Sequence, residues 1–171
     1  MRLKDVVMEM LRRGDRQGLE DLVVQQPRSI RYLQGRLWDP ELRVRQNAAE
    51  ALGVAAAERP ELGRELLRRA LWALNDESAM NGAYTLPLIG EIGFRAPELV
   101  DPFVGPMTSY LWDDGLRPGI LKALCRIAEA APELITGIRD RLLTVESHND
   151  PGERACLERL LAVNREGENG A

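Results

Sequence analysis

The sequence predicts an all-helical protein assembled from repeated units of two helices each, and three observations carry that expectation. Four aspartates, Asp39, Asp76, Asp113 and Asp150, stand 37 residues apart. A second landmark, Pro-Glu-Leu, begins at Pro60, Pro97 and Pro132 and follows its aspartate by 21, 21 and 19 residues. Between the landmarks apolar residues recur at three and four, as in Leu62, Leu66, Leu67, Ala70, Leu71 and Leu74, and no segment alternates with period two for long enough to be a strand. A fixed period of this length is the signature of stacked helical units, none of which buries its apolar face alone.

Each landmark has a physical role at a helix start. An aspartate accepts hydrogen bonds from the free N–H groups of the first turn, and a following proline brings a preset φ and no N–H to leave unsatisfied. Asp39-Pro40 and Asp150-Pro151 spell this pair, and Asp150 with Glu153 three residues later spells a capping box. Pro-Glu-Leu starts the other helix of each unit, its Glu favouring the helix dipole. The helices expected in order are 4–12, 17–26, 28–37, 41–57, 61–74, 79–94, 98–111, 116–130, 133–146 and 151–164. The run Gly14-Asp15-Arg16-Gln17-Gly18 reads as a turn between the first two, not as a phosphate loop.

These helices group into one domain over 1–164: a cap at 1–27, then repeats at about 28–59, 60–96, 97–131 and 132–164, with a frayed tail over 165–171. With 171 residues, 44% of them hydrophobic, the chain has enough apolar side chain for one continuous core.

The residues from Leu37 to Gly53 resemble a HEAT-like repeat of the phycobilin-lyase type: an aspartate turn at Trp38-Asp39-Pro40, the Val44-Arg45 pair, and the core of Ala48, Ala51, Leu52 and Gly53. The next unit keeps the frame and Gly90 but has Met80 and Asn81 where the first has Arg43 and Val44. The resemblance covers about residues 28–164. It implies a right-handed α-solenoid of about four two-helix repeats behind an N-terminal cap, with the second helices lining a concave face, and it implies no particular chemistry.

The most deviant unit carries the densest polar and aromatic cluster: Trp72, Asn75, Asp76, Glu77, Ser78, Asn81 and Tyr84. Within its second helix Pro87 removes a backbone bond, and Gly82, Gly90 and Gly93 reduce bulk. Two readings stand side by side. In one, the cluster is a recognition surface, with Asn75, Asn81 and Tyr84 hydrogen-bonding and Trp72 supplying contact area. In the other, Asp76 and Ser78 cap, Trp72 is core and Pro87 sets curvature. Trp38 and Trp112, two repeats apart, are expected to stack between neighbouring turns; Trp112 joins the candidate partner-binding set.

Charge narrows the partner. Twenty-three Lys and Arg against 27 Asp and Glu give a net charge of −4, which argues against an extended nucleic-acid surface. From Ala73 to Leu116 seven acids face one base, Arg95, so this stretch is −6 and the remainder +2. Such a band either steers a partner with a basic surface or is a solvated face. Arg12, Arg13, Arg16, Arg28, Arg31 and Arg36 make the N-terminal end basic, and Asp15, Glu20 and Asp21 among them suggest a salt-bridged cap.

Enzyme chemistry on this architecture finds little support. A diiron hydroxylase of the deoxyhypusine type needs several His-Glu pairs, and the chain has one histidine, His148. The alkylpurine DNA glycosylases of this architecture use a strongly basic concave face, which the acidic middle opposes. Phycobilin lyases handle a bilin, and nothing marks a bilin pocket. A metal centre from Cys125, Cys156 and His148 would need three helices to converge and lacks a fourth ligand. No metal and no cofactor are expected. The two cysteines read as packed thiols in a reducing compartment. With neither a signal-peptide segment nor an apolar run of about 18 residues, the expected location is cytoplasmic. The functional expectation is a non-catalytic protein-interaction scaffold binding another protein on the concave face or turn edge. The alternative is an accessory factor for chromophore attachment, or a small-ligand-binding protein using the 72–84 cluster.

Overall fold

Gly14 ends the first helix in the left-handed region, at φ 71°, and Asp15 opens the second by accepting the Gly18 amide at 3.0 Å, so the expected turn joins α1 (Leu3–Arg13) to α2 (Arg16–Gln25). The structure is a computed structural model of the chain and describes residues 1–75, 80–145 and 150–169. Among the described residues every regular element is helical, and no helix is long and apolar enough to cross a membrane. A 3₁₀ turn at Pro27–Ser29 leads into α3 (Ile30–Gln34). Then follow α4 (Leu42–Glu58), α5 (Pro60–Ala73), α6 (Met80–Arg95), α7 (Pro97–Thr108), α8 (Arg117–Ala128), α9 (Glu133–Thr136), α10 (Arg139–Leu143) and α11 (Pro151–Asn169).

The landmarks act at helix starts in different ways. Pro60 and Pro97 occupy the first turns of α5 and α7, as their missing N–H favours. Asp150 is a true cap, accepting the Glu153 amide at 2.8 Å. Asp39 instead folds the turn before α4, accepting the amide of Glu41 at 3.1 Å and the Arg36 guanidinium at 3.2 Å. Asp113 accepts from Gly115 and Leu116, one residue short of α8. Asp76, Glu77, Ser78 and His148 lie outside the described residues.

Three expected elements differ, the first being the helix expected over 28–37, which is a 3₁₀ turn at Pro27–Ser29 followed by α3, ending at Gln34. The helix expected over 133–146 is broken into α9 and α10 at Gly137-Ile138, where a glycine follows Ile135 and Thr136, both β-branched. The Thr136 hydroxyl donates to the Glu133 carbonyl at 2.7 Å, satisfying an acceptor at this short helix. The tail expected to fray from Arg165 stays helical to Asn169.

Packing runs in two rows. In one, α4 lies on α6, α6 on α8 and α8 on α11; in the other, α5 lies on α7 and α7 on α9, while α1 and α2 close the N-terminal end against α4. The core between the rows is aliphatic, built from residues such as Leu52, Leu67, Leu86, Ile89, Ile92, Ile120 and Leu124, all 2% exposed or less. Gly53 and Gly90, 37 residues apart, do the same work in successive units. A Cβ on Gly53 would lie 3.1 Å from the backbone of Glu91, and one on Gly90 would lie 3.1 Å from Cα of Ala123. Their bare backbones let neighbouring helices of the first row approach closely.

Side chains from one unit donate to carbonyls at the helix ends of the unit before it, where intrahelical bonding runs out. Asn47 donates to the Leu11 carbonyl at 2.7 Å and Arg43 to that of Arg13 at 2.6 Å, closing the end of α1. Arg59 reaches the carbonyls of Val23 and Val24 at the end of α2, and Arg141 that of Gly105 near the end of α7. Three of these links, Asn47 to Leu11, Arg59 to Val23 and Arg141 to Gly105, span 36 residues, close to one repeat.

Candidate functional site

With one face of each first-row helix committed to the core, the opposite face of α4, α6 and α8 is left to line a groove of about 650 Å³. The lining follows helical spacing: Leu42, Arg45 or Gln46, and Ala49 or Glu50 on α4; Ala83 or Tyr84, Pro87, and Gly90 or Glu91 on α6; Gly119, Lys122 or Ala123, and Arg126 on α8. Corresponding positions recur from unit to unit. Gln46, Ala83 and Gly119 are spaced by 37 and 36 residues, and so are Glu50, Pro87 and Ala123.

Small residues make the floor and charged ones the walls. Ala49, Ala83, Pro87, Gly90, Gly119 and Ala123 keep side-chain volume low along the middle. Pro87 does not interrupt α6, which runs unbroken from Met80 to Arg95. It does deprive the Ala83 carbonyl of its i+4 amide. Four cations, Arg16, Arg45, Lys122 and Arg126, share the groove with two carboxylates, Glu50 and Glu91.

The ion pairs leave these cations in different states. Arg16 reaches Glu50 at 3.0 Å. Arg126 grips Glu91 through two contacts of 2.9 and 3.2 Å, reaches Glu129 at 2.5 Å, and lies 3.4 Å from the centroid of the Phe94 ring. Arg45 donates to the carbonyls of Asp39 and Pro40 at 2.7 and 3.1 Å and stands 5.0 Å from the Tyr84 ring centroid, with no carboxylate on it among the described residues. Lys122 is exposed and has no ion-pair partner among the described residues. Burial pushes the Glu50 carboxyl above its ordinary range; the Arg16 charge pulls it down and Glu91 pushes it up further.

The structure divides the residues expected to form a recognition cluster. Tyr84 lines the groove. Trp72, at the end of α5, is 80% exposed and so is not core, and Trp112 is 75% exposed rather than sandwiched between turns. Trp38 is 44% exposed. Asn75, in the turn after α5, accepts a hydrogen bond from the Tyr110 hydroxyl across units, two residues from Trp112. Asn81 is exposed in the first turn of α6, while Asp76 and Glu77 lie outside the described residues. Trp72, Asn75 and Trp112 therefore belong to a turn edge, and the groove is a separate feature.

The sequence pointed to Arg16 only as part of the basic N-terminal end and to Arg45 only as part of the Val44-Arg45 pair, and residue types alone did not single out Glu50, Glu91, Lys122 or Arg126. The signal that finds them is register: one helix face, at corresponding places in three successive units. Nor does the acidic stretch from Ala73 to Leu116 make the groove negative, because Glu91 is paired with Arg126, and Glu98 and Asp101 are exposed on α7, in the other row. Near the C-terminus, the Cys125 thiol on α8 donates to the Cys156 carbonyl of α11 at 3.5 Å, and both cysteines are free. No protein-family model matches the sequence, and no curated protein matches it.

Proposed function

We propose that the chain is a right-handed α-solenoid of HEAT-like repeats working as a non-catalytic scaffold, with α4, α6 and α8 as its concave row and a segment of another protein held in the groove they line. The observation that carries this is the groove's construction from the same face of three successive units, floored by small residues and walled by charge. A surface repeated along an array suits an extended partner segment. The non-catalytic reading draws support from the lining: each of its carboxylates is engaged by an arginine, and no Ser, Cys or His stands among the described residues that form it. Two free thiols favour a cytoplasmic address.

A second reading has one observation in its favour. A volume of about 650 Å³ falls within the range of small-molecule sites, which suits a small-ligand or chromophore-handling protein.

Site-specific photo-cross-linking separates the two. Leu42, on the groove, and Leu143, on α10, are 56% and 54% exposed, so a benzoylphenylalanine fits either position with similar access. A protein adduct in native extract from position 42 and none from 143 is the expected result. Equal adducts from both would count against a groove-specific partner. No adduct from 42, with a small molecule retained in native mass spectrometry, would favour the second reading.

A further inference from the structure

We infer that the segment this groove takes is acidic and extended, with two carboxylates about five or six residues apart, one meeting Arg45 on α4 and the other meeting Lys122 on α8. The inference rests on the scaffold reading above and names the chemistry of its partner.

Charge balance is the first support. Among the described residues the groove lining holds four cations and two carboxylates, +2 within a chain whose net charge is −4. Everything outside it is therefore −6, and the groove is a positive site on a negative molecule. An acidic partner is drawn to this place, while the remainder of the chain carries a net charge of its own sign. This reverses the sign expected of the partner from the acidic stretch in the sequence.

The second support is which cations are uncommitted. Arg16 and Arg126 are each held by a glutamate. Among the described residues Arg45 is anchored by backbone carbonyls and an aromatic ring, which orient a guanidinium without neutralising it, and Lys122 meets no carboxylate. These two stand on α4 and α8, with α6 between them. Two steps of about 8–10 Å between packed helices separate the charges by about 16–20 Å. At about 3.3 Å per residue, extended chain covers that in about five or six residues. Between the charges the chain would cross the low floor of Ala83, Pro87 and Gly90, where apolar side chains fit.

A nucleic acid is also anionic, but it carries a charge at every residue. Laid across the groove it would set phosphates over Glu50 and Glu91 between the two free cations. A peptide can leave that middle stretch uncharged.

The test uses the full chain carrying benzoylphenylalanine at position 42, which traps even weak complexes. Three probes are compared: a twelve-residue peptide with two aspartates spaced as above among valine and threonine, the same peptide with lysines in their place, and a short single-stranded oligodeoxynucleotide. The acidic peptide should cross-link best. Its yield should fall about fivefold in Lys122→Glu, with Lys122→Gln between, and should fall when salt is raised from about 50 to about 300 mM. Lys122 is exposed, and a melting curve confirms that each variant is folded. Preference for the lysine peptide or the oligonucleotide, a yield indifferent to Lys122→Glu, or no cross-linked probe would overturn the inference. If position 42 still traps a protein from extract regardless of charge at 122, the scaffold reading survives and only the acidic occupant is lost. If extract yields no adduct either, both fail.

Discussion

Arg117 and Glu153 meet at 2.9 Å across α8 and α11, with side chains only 7% and 12% exposed. Asp114 adds a second carboxylate to the same guanidinium at 2.7 Å. Glu153 is the glutamate that the capping-box pattern assigned to the Asp150 helix start; its amide does receive the cap, while its carboxylate crosses to the preceding unit. Removing one partner of a buried pair strands the other charge. Arg117→Leu should therefore destabilise by about 3–5 kcal/mol, and an apolar replacement of both residues should restore much of that. Urea denaturation of the single and double variants checks it; a single variant within about 1 kcal/mol of the parent would contradict the assignment.

The period of 37 residues and the proline starts of α5 and α7 were legible because they are written in residue types with one strong structural use each. Aspartate is less specific. Asp39, Asp113 and Asp150 look alike in sequence, yet only Asp150 caps the third residue of a helix, while the other two fold the turns before one. Apolar spacing located the core stripe of α4, α6 and α8, and the groove is its complement. Arg45 and Lys122 look like any solvated charge until the core stripe is fixed and the units are aligned. The sign of the groove was not legible, since a charge sum along the chain mixes both rows and counts Glu91 without its partner Arg126.

Close approach at Gly53 gives a stability test of the repeat. A Cβ there would press on the backbone of Glu91, which cannot yield as a flexible side chain can. Gly53→Val should cost about 1–3 kcal/mol through overpacking between α4 and α6, although valine has the better helix propensity. The denaturation midpoint is the readout. A more stable variant would show that the two helices part freely.

Asp39 is the landmark of the first unit and carries the turn into α4. Replacing it with alanine removes the acceptor for the Glu41 amide and the partner of Arg36. The expected loss is about 0.5–2 kcal/mol, the range for a capping side chain. An unchanged thermal midpoint would show that the carbonyl contacts of Arg45 to Asp39 and Pro40 hold this turn by themselves.

Glu50 gives a pH dependence of definite sign. Burial raises its carboxyl above the ordinary 4.5 in the folded chain, and the field of Glu91 adds to this against the pull of Arg16. The folded state therefore binds a proton that the unfolded chain has already released. Its contribution to stability is full below pH 4.5 and is lost as pH rises through the raised value. Glu50→Gln removes that titration. Relative to the parent, its melting temperature should climb across the window beginning at pH 4.5 and then level off. A constant difference between the two melting curves would mean that Arg16 offsets burial at this site, and one of opposite slope that it outweighs burial.

The thiols on α8 and α11 make a contrast within one protein. Burial, with the neighbouring Cys156, pushes the Cys125 thiol up to about 12, so at pH 8 almost none of it is the reactive thiolate. Cys156 is only partly buried. Iodoacetamide at pH 8 should label Cys156 first, and Cys125 only as α11 opens from α8, at a rate that urea below the unfolding transition increases. Peptide mass spectrometry over a time course resolves the two sites. Equal labelling rates in the absence of urea would show that α11 does not stay docked against Cys125.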